Sequence, residues 1–132
     1  MIVDTSAIVA IVRSEKHATQ CLDALERAQR VSISAGTCIE TFIVVDASDA
    51  SLVTLTLENI MSRYEILIEP VTEAQVRIAR LAYRRYGKGS GHPARLNFGD
   101  CFAYALARDR NEPLLFVGND FSHTDIRPAL AG

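Results

Sequence analysis

Ile2-Val3-Asp4-Thr5-Ser6, followed by the apolar run Ala7-Ile8-Val9-Ala10-Ile11-Val12, is the stretch that decides the fold. Two apolar residues make a very short strand that stops at three polar ones. Asp4-Thr5-Ser6 can also cap the helix suggested from Ala7 to Val12. A carboxylate is thereby delivered to the C-terminal end of a strand. From about Glu15 to Arg27 the apolar positions Ala18, Cys21, Leu22 and Leu25 fall at helical spacing, and Val31-Ser32-Ile33-Ser34 then alternates as a strand does. Strand, helix, strand is the beginning of an α/β pattern.

The pattern continues outward from there. Ile39, Phe42, Ile43, Val45 and Asp46 lie in a second helix expected to end near Ser48 to Ser51, and Leu52 to Arg63 reads as a third. Ile66-Leu67-Ile68 is expected as a short buried strand stopped by Pro70. Thr72 with Gln75 three residues on is a capping-box pattern for the next helix, which Gly87 ends. Gly-Lys-Gly-Ser-Gly-His-Pro at 87–93 must be a loop. Asn97 can cap a helix running to about Arg110, with Asp100 three positions in, and Leu114-Leu115-Phe116-Val117 is the last strand before Gly118-Asn119-Asp120.

The chain has 132 residues, 48% of them hydrophobic, enough for one compact domain over 1–132 and too few for two ordinary ones. A net charge of −2 neither demands nor excludes a polyanionic partner, so the distribution of charge must decide. Cys21, Cys38 and Cys101 are odd in number and widely spaced, which reads as small core residues in a reducing cytosol. With Met1-Ile2-Val3-Asp4 at the first positions there is no room for a signal segment, and no apolar stretch approaches a membrane span. A soluble, cytoplasmic protein is expected.

Asp4, Glu40, Asp100 and Asp120 stand out because each lies in or beside an apolar segment. In a parallel α/β sheet the strand C-terminal ends and the adjoining helix N-termini meet at one crevice, which would gather Asp4, Asp100 and Asp120. Glu40, near the start of its own helix, could reach the same place. Each acid also has a purely structural reading: helix caps for Asp4 and Asp100, a salt bridge for Glu40, an Asx turn for Asp120. Their joint placement favours a shared role. Carboxylates within about 4 Å repel by roughly 4 kcal/mol per pair at an effective dielectric of 20, so such a cluster calls for a cation. All-oxygen ligation points to Mg²⁺ or Mn²⁺ over zinc, with water and substrate phosphate completing the coordination.

Between Ala74 and Gly99 there is no acid, while Arg77, Arg80, Arg84, Arg85, Lys88 and Arg95 are cationic and His92 can be. Arg77, Arg80, Arg84 and Lys88 fall at helical spacing and form one basic stripe running into the Gly-rich loop, able to follow a phosphate backbone. The plain alternative is a solvated face, or a surface that meets an acidic protein. Tyr83 and Tyr86 either stack on bases or belong to the core or a dimer contact. No Gly-x-Ser-x-Gly elbow supports Ser6 or Thr5 as a nucleophile, and the 87–91 loop lacks the order of a nucleotide-binding P-loop. His17 and His123 are isolated.

Val3-Asp4-Thr5-Ser6-Ala7, Ile39-Glu40-Thr41, the run from Asn97 to Ala107 and Leu114-Leu115-Phe116-Val117-Gly118-Asn119-Asp120-Phe121 resemble PIN domains, in the order and spacing of VapC toxins. The likeness covers essentially the whole chain. It implies a three-layer α/β/α fold with a central parallel sheet, a homodimer, metal-dependent endoribonuclease activity and inhibition by a cognate VapB-like antitoxin. Carried over, Asp4, Glu40 and Asp100 match the metal-site acids, with Mg²⁺ held directly by Asp4 and Asp100. Many PIN domains have Thr-x-Asp/Asn before the final Asp-Phe. Here that run is Phe116-Val117-Gly118, leaving Asp120 or Asp125 to complete the set. Arg80, Arg84, Lys88, His92 and Arg95 are expected to bind RNA. The rival from another class is a PIN-like fold that binds RNA or protein without cutting, which would gain nothing from clustered negative charge. A phosphatase with an aspartyl nucleophile needs Asp-x-Asp, and Ser6 stands at the third position.

Overall fold

The computed structural model describes residues 1–48 and 51–130. Four strands, β1 (Ile2–Val3), β2 (Ser32–Ser34), β3 (Leu67–Glu69) and β4 (Leu114–Leu115), form one all-parallel sheet in the order β3-β2-β1-β4. Among the described residues six helices accompany it: α1 (Thr5–Val12), α2 (Ala18–Arg27), α3 (Ala35–Asp46), α4 (Ser51–Arg63), α5 (Glu73–Tyr86) and α6 (Phe98–Arg110). The expected end of α3 near Ser48 to Ser51 falls partly outside the described residues; the helix itself stops at Asp46.

The three-layer expectation is met, and the shortest strands show why. Neighbouring residues of a strand point to opposite faces. Val3 and Leu115 enter one core with Ala7, Ile8, Leu25, Ile33 and Leu57 from the α1–α4 side, whereas Ile2 and Leu114 enter a second with Ala82 and Tyr86 of α5, Leu106 of α6 and Leu96 from the segment between them. Both faces of the sheet are covered, as parallel sheets require. Cys21, Cys38 and Cys101 are buried free thiols, in keeping with their reading as core residues. Among the described residues no helix is long and apolar enough to cross a membrane.

Two strand expectations are corrected. The third strand is not buried: only Ile66 is, while Leu67 and Ile68 of β3 are 43% and 56% exposed because β3 is a sheet edge. The fourth strand ends at Leu115, two residues early, since Val117 N–H donates to Ser6 Oγ at 3.0 Å instead of to a ladder. The helix expected from about Glu15, α2, starts at Ala18, after Ser14 takes a left-handed turn at φ 52°.

Candidate active site

Asp4 is the first residue past β1 and caps α1, with Oδ2 accepting from Ser6 N at 3.0 Å and from Ser6 Oγ at 2.6 Å. Because Ser6 Oγ also accepts from Val117 N, Ser6 ties the acid to the end of β4. Asp100 sits at the third position of α6 in a reciprocal cap: Asn97 N donates to Asp100 Oδ2 at 3.0 Å, and Asp100 N donates to Asn97 Oδ1 at 2.9 Å. Both acids are buried. Glu40, half-buried on α3, accepts at Oε1 from Thr5 Oγ1 at 2.9 Å. One oxygen of each carboxylate is thus anchored by the fold, and the second lies outside these bonds.

The four acids act on one another electrostatically. Burial pushes Asp100 up to about 7, opposed by the Asn97 amide and reinforced by the charges of Asp120, Asp4 and Glu40. Burial likewise raises Asp4 to about 6, against the Ser6 hydroxyl and amide that lower it, with Glu40 adding to the rise. Asp120 is exposed on the turn after β4, which Gly118 makes at φ 99°. Asp125 is engaged elsewhere: Tyr104 donates to it at 2.6 Å and Arg108 lies 3.6 Å away. Of the two alternatives for the fourth acid, Asp120 is the one whose charge acts on Asp100.

Among the described residues no group of three or more His, Cys, Asp or Glu side chains converges as a ready-made metal cage. The donors nonetheless fit a hard divalent cation. They are oxygens only, and one or two carboxylates completed by waters and phosphate oxygens are the usual protein share for Mg²⁺.

The basic segment divides in two. α5 and α6 run antiparallel, since Gln75 Nε2 reaches Asp109 at 3.2 Å near one end while Tyr86 packs on Tyr104 near the other. Arg84 and Lys88 therefore lie toward the Asp100 end of α6. Arg77 lies at the far end and is held by Glu73 at 2.7 Å, so it drops out of the stripe. Arg80, Arg84, Lys88 and Arg95 are exposed and form no ion pair among the described residues. His92 is partly buried edge-on against Tyr86, and its Nδ1 accepts from Ala94 N at 3.1 Å, leaving Nε2 for a ligand. Tyr86 is core; Tyr83 is exposed.

Thr5 and Ser6 are occupied in orienting Glu40 and Asp4, which leaves neither hydroxyl in the setting of a nucleophile. A hydroxyl two residues after a strand-end Asp is a local turn signal that points to this role of Ser6. Gly99, which lies against Glu40, has no such signal.

The family model of the PIN domain matches residues 1–127. A VapC ribonuclease of Mycobacterium bovis and ribonuclease VapC28 of Mycobacterium tuberculosis are each 52% identical over 130 residues, covering 98% of this chain and of the relative. Ribonuclease VapC42 of M. tuberculosis is 50% identical over 129 residues, again covering 98% of both. The fold is similar to the crystal structure of M. tuberculosis VapC20, a sarcin–ricin-loop-cleaving toxin, with TM-score 0.70, 17% identity and coverage of 96% of this chain and 98% of that one. A toxin–antitoxin complex from Klebsiella pneumoniae matches with TM-score 0.68, 16% identity and coverage of 94% and 92%.

Proposed function

Since this chain belongs to the PIN domain family and to its VapC ribonucleases, we propose that it is a Mg²⁺-dependent endoribonuclease, the toxin of a VapBC-type toxin–antitoxin pair. The observation that carries this reading is the pair of buried acids Asp4 and Asp100, with Glu40 lying against the first turn of α6 and the charge of Asp120 acting on Asp100. Binding surfaces for RNA are positive, so four acids at one crevice suit catalysis better than binding alone.

In this reading Asp4 and Asp100 would hold Mg²⁺, with Mn²⁺ as a substitute. The cation, when bound, lowers the pKa of the attacking water and offsets charge on the scissile phosphate. Ser6 and Asn97 keep the two carboxylates aimed, each by hydrogen bonds to Oδ2. Glu40, steadied by Thr5, takes the proton from the attacking water or orients that water, and Asp120 supports it from the β4 side. Arg80, Arg84, Lys88, His92 and Arg95 hold the RNA backbone. The products are a phosphate end and a hydroxyl end, with no covalent enzyme intermediate.

Purified protein incubated with a mixed tRNA, rRNA and mRNA pool should generate new ends with Mg²⁺ and none with EDTA. Uncut RNA under both conditions would leave only a binding module. The same proposal places the chain in the cytoplasm with its RNA. It also gives the chain an antitoxin, as in the K. pneumoniae neighbour, and a second copy of itself. The exposed Ile39, Ile43, Val76, Leu81 and Phe98 supply apolar surface for such a homodimer, and sedimentation at the mass of one chain would count against it.

Replacing Arg80 and Arg84 by Gln should weaken RNA binding and flatten its log–log salt slope by about 0.7 for each single-strand phosphate that is no longer neutralised. Mg²⁺ affinity should hardly change. An unaltered slope in a binding titration across a salt series would remove these arginines from the RNA path and assign them to a protein interface.

A further inference from the structure

Each of α3 and α6 carries a glycine where the two helices cross. A Cβ on Gly36 of α3 would strike the Phe102 ring, lying 2.5 Å from Cγ and 2.6 Å from Cε1. A Cβ on Gly99 of α6 would strike Glu40 Oε2 and lie 2.8 Å from Cδ and 3.0 Å from Oε1. Gly36 and Glu40 are one turn apart on α3, and Gly99 and Phe102 are one turn apart on α6. Ascending α3 from Gly36 to Glu40 therefore descends α6 from Phe102 to Gly99. The helices cross antiparallel, and the two glycine contacts fix their register.

We propose that Gly99 is a positioning residue of the active site: by lacking a Cβ it admits the Glu40 carboxylate against the first turn of α6, beside Asp100. The proposal rests on the nuclease reading above. Two forces keep the carboxylate there once it is admitted. Thr5 donates to Oε1 from one side, and the positive end of the α6 dipole lies on the other. The colliding atoms are the far end of a flexible side chain, so a methyl at position 99 displaces Glu40 more readily than it disrupts the fold. Alanine is moreover the better helix former. Fold and site are thus expected to respond in opposite directions. At Gly36 the colliding atoms include Phe102 Cγ, close to its own backbone, and no such separation is available.

The test compares wild type, G99A, E40A and G99A/E40A for RNA cleavage in Mg²⁺ and for thermal unfolding. G99A should melt at or above the wild-type temperature yet cut on the order of 10²-fold more slowly, in kcat and not KM, as expected for a misplaced proton acceptor. The double variant should cut no more slowly than E40A. The rise in Tm caused by G99A should be larger when Glu40 is already absent. Wild-type cleavage by G99A, losses that multiply in the double variant, or equal Tm shifts in the two backgrounds would overturn the proposal. If G99A alone fails to fold, folding of the double variant supports the contact and failure of both refutes it. If wild type cuts no RNA, the nuclease reading fails while the Tm comparison still decides the contact.

Discussion

Asp100→Asn should abolish RNA cleavage, by on the order of 10³-fold or more, while making the metal-free protein more stable at pH 8. The loss follows from removing one of the two proposed Mg²⁺ ligands, an interaction worth several kcal/mol of barrier. The gain follows from the environment of this carboxylate, buried and beside Asp120, Asp4 and Glu40, which pushes it up to about 7. At pH 8 it is ionised at a cost, and a neutral amide avoids that cost. Asparagine keeps an oxygen for the Asn97 amide, so the cap of α6 survives. Its new N–H groups need partners, which limits the gain to about 2–4 kcal/mol. Cleavage assays and denaturant melts on one EDTA-treated preparation check both halves. Retained cleavage would sink the assignment of Asp100, and a destabilised but uncleaving variant would make the acid structural.

Stability of the metal-free chain should fall as pH rises from about 4 to about 7. Asp4 and Asp100 titrate in the folded state near 6 and 7, against an ordinary value of 3.8 once the chain unfolds. Within that window the unfolded chain has released protons that the folded chain retains. Fewer protons are bound on unfolding, so the unfolding free energy declines with pH until both acids are ionised in both states. Their contribution is fully present below about pH 4 and fully lost above about 7. Because the two acids repel one another their shifts do not simply add, and together they supply on the order of 5 kcal/mol, or roughly 15–20 °C in Tm for a domain of this size. Mg²⁺ should restore much of this at pH 8 by binding the ionised folded form alone. The Asp4→Asn/Asp100→Asn variant serves as the reference that subtracts every other titrating group. Melts of wild type that track this reference from pH 4 to 8 would show that neither acid is held at unusual cost.

Which features are legible in the sequence depends on how far apart the interacting residues lie in the chain. Asp4 capping α1, the Asn97/Asp100 exchange at the start of α6 and Gly87 at the end of α5 are relations within a few residues, and each can be read directly. The alternation of Ile2 and Val3 between two cores is likewise implicit in an apolar pair followed by an acid. Thr72 caps α5 as expected, but Gln75 turns away to Asp109, and its partner lies 34 residues off. The exposure of Leu67 and Ile68 cannot be inferred from an apolar triplet, because an edge strand and a central one look alike until neighbours are placed.

Periodicity and short-range hydrogen bonds act within a turn or two of chain, so the α/β class and the local caps follow from the order of residues alone. That Asp125 is held away by Tyr104 and Arg108, while the charge of Asp120 acts on Asp100, is instead a matter of packing. Packing likewise brings Thr5 to Glu40, 35 residues away, and Glu40 to Gly99. Those contacts arise from the height at which two helices cross, and that height is set by side-chain volume summed over both helices, which no single segment contains.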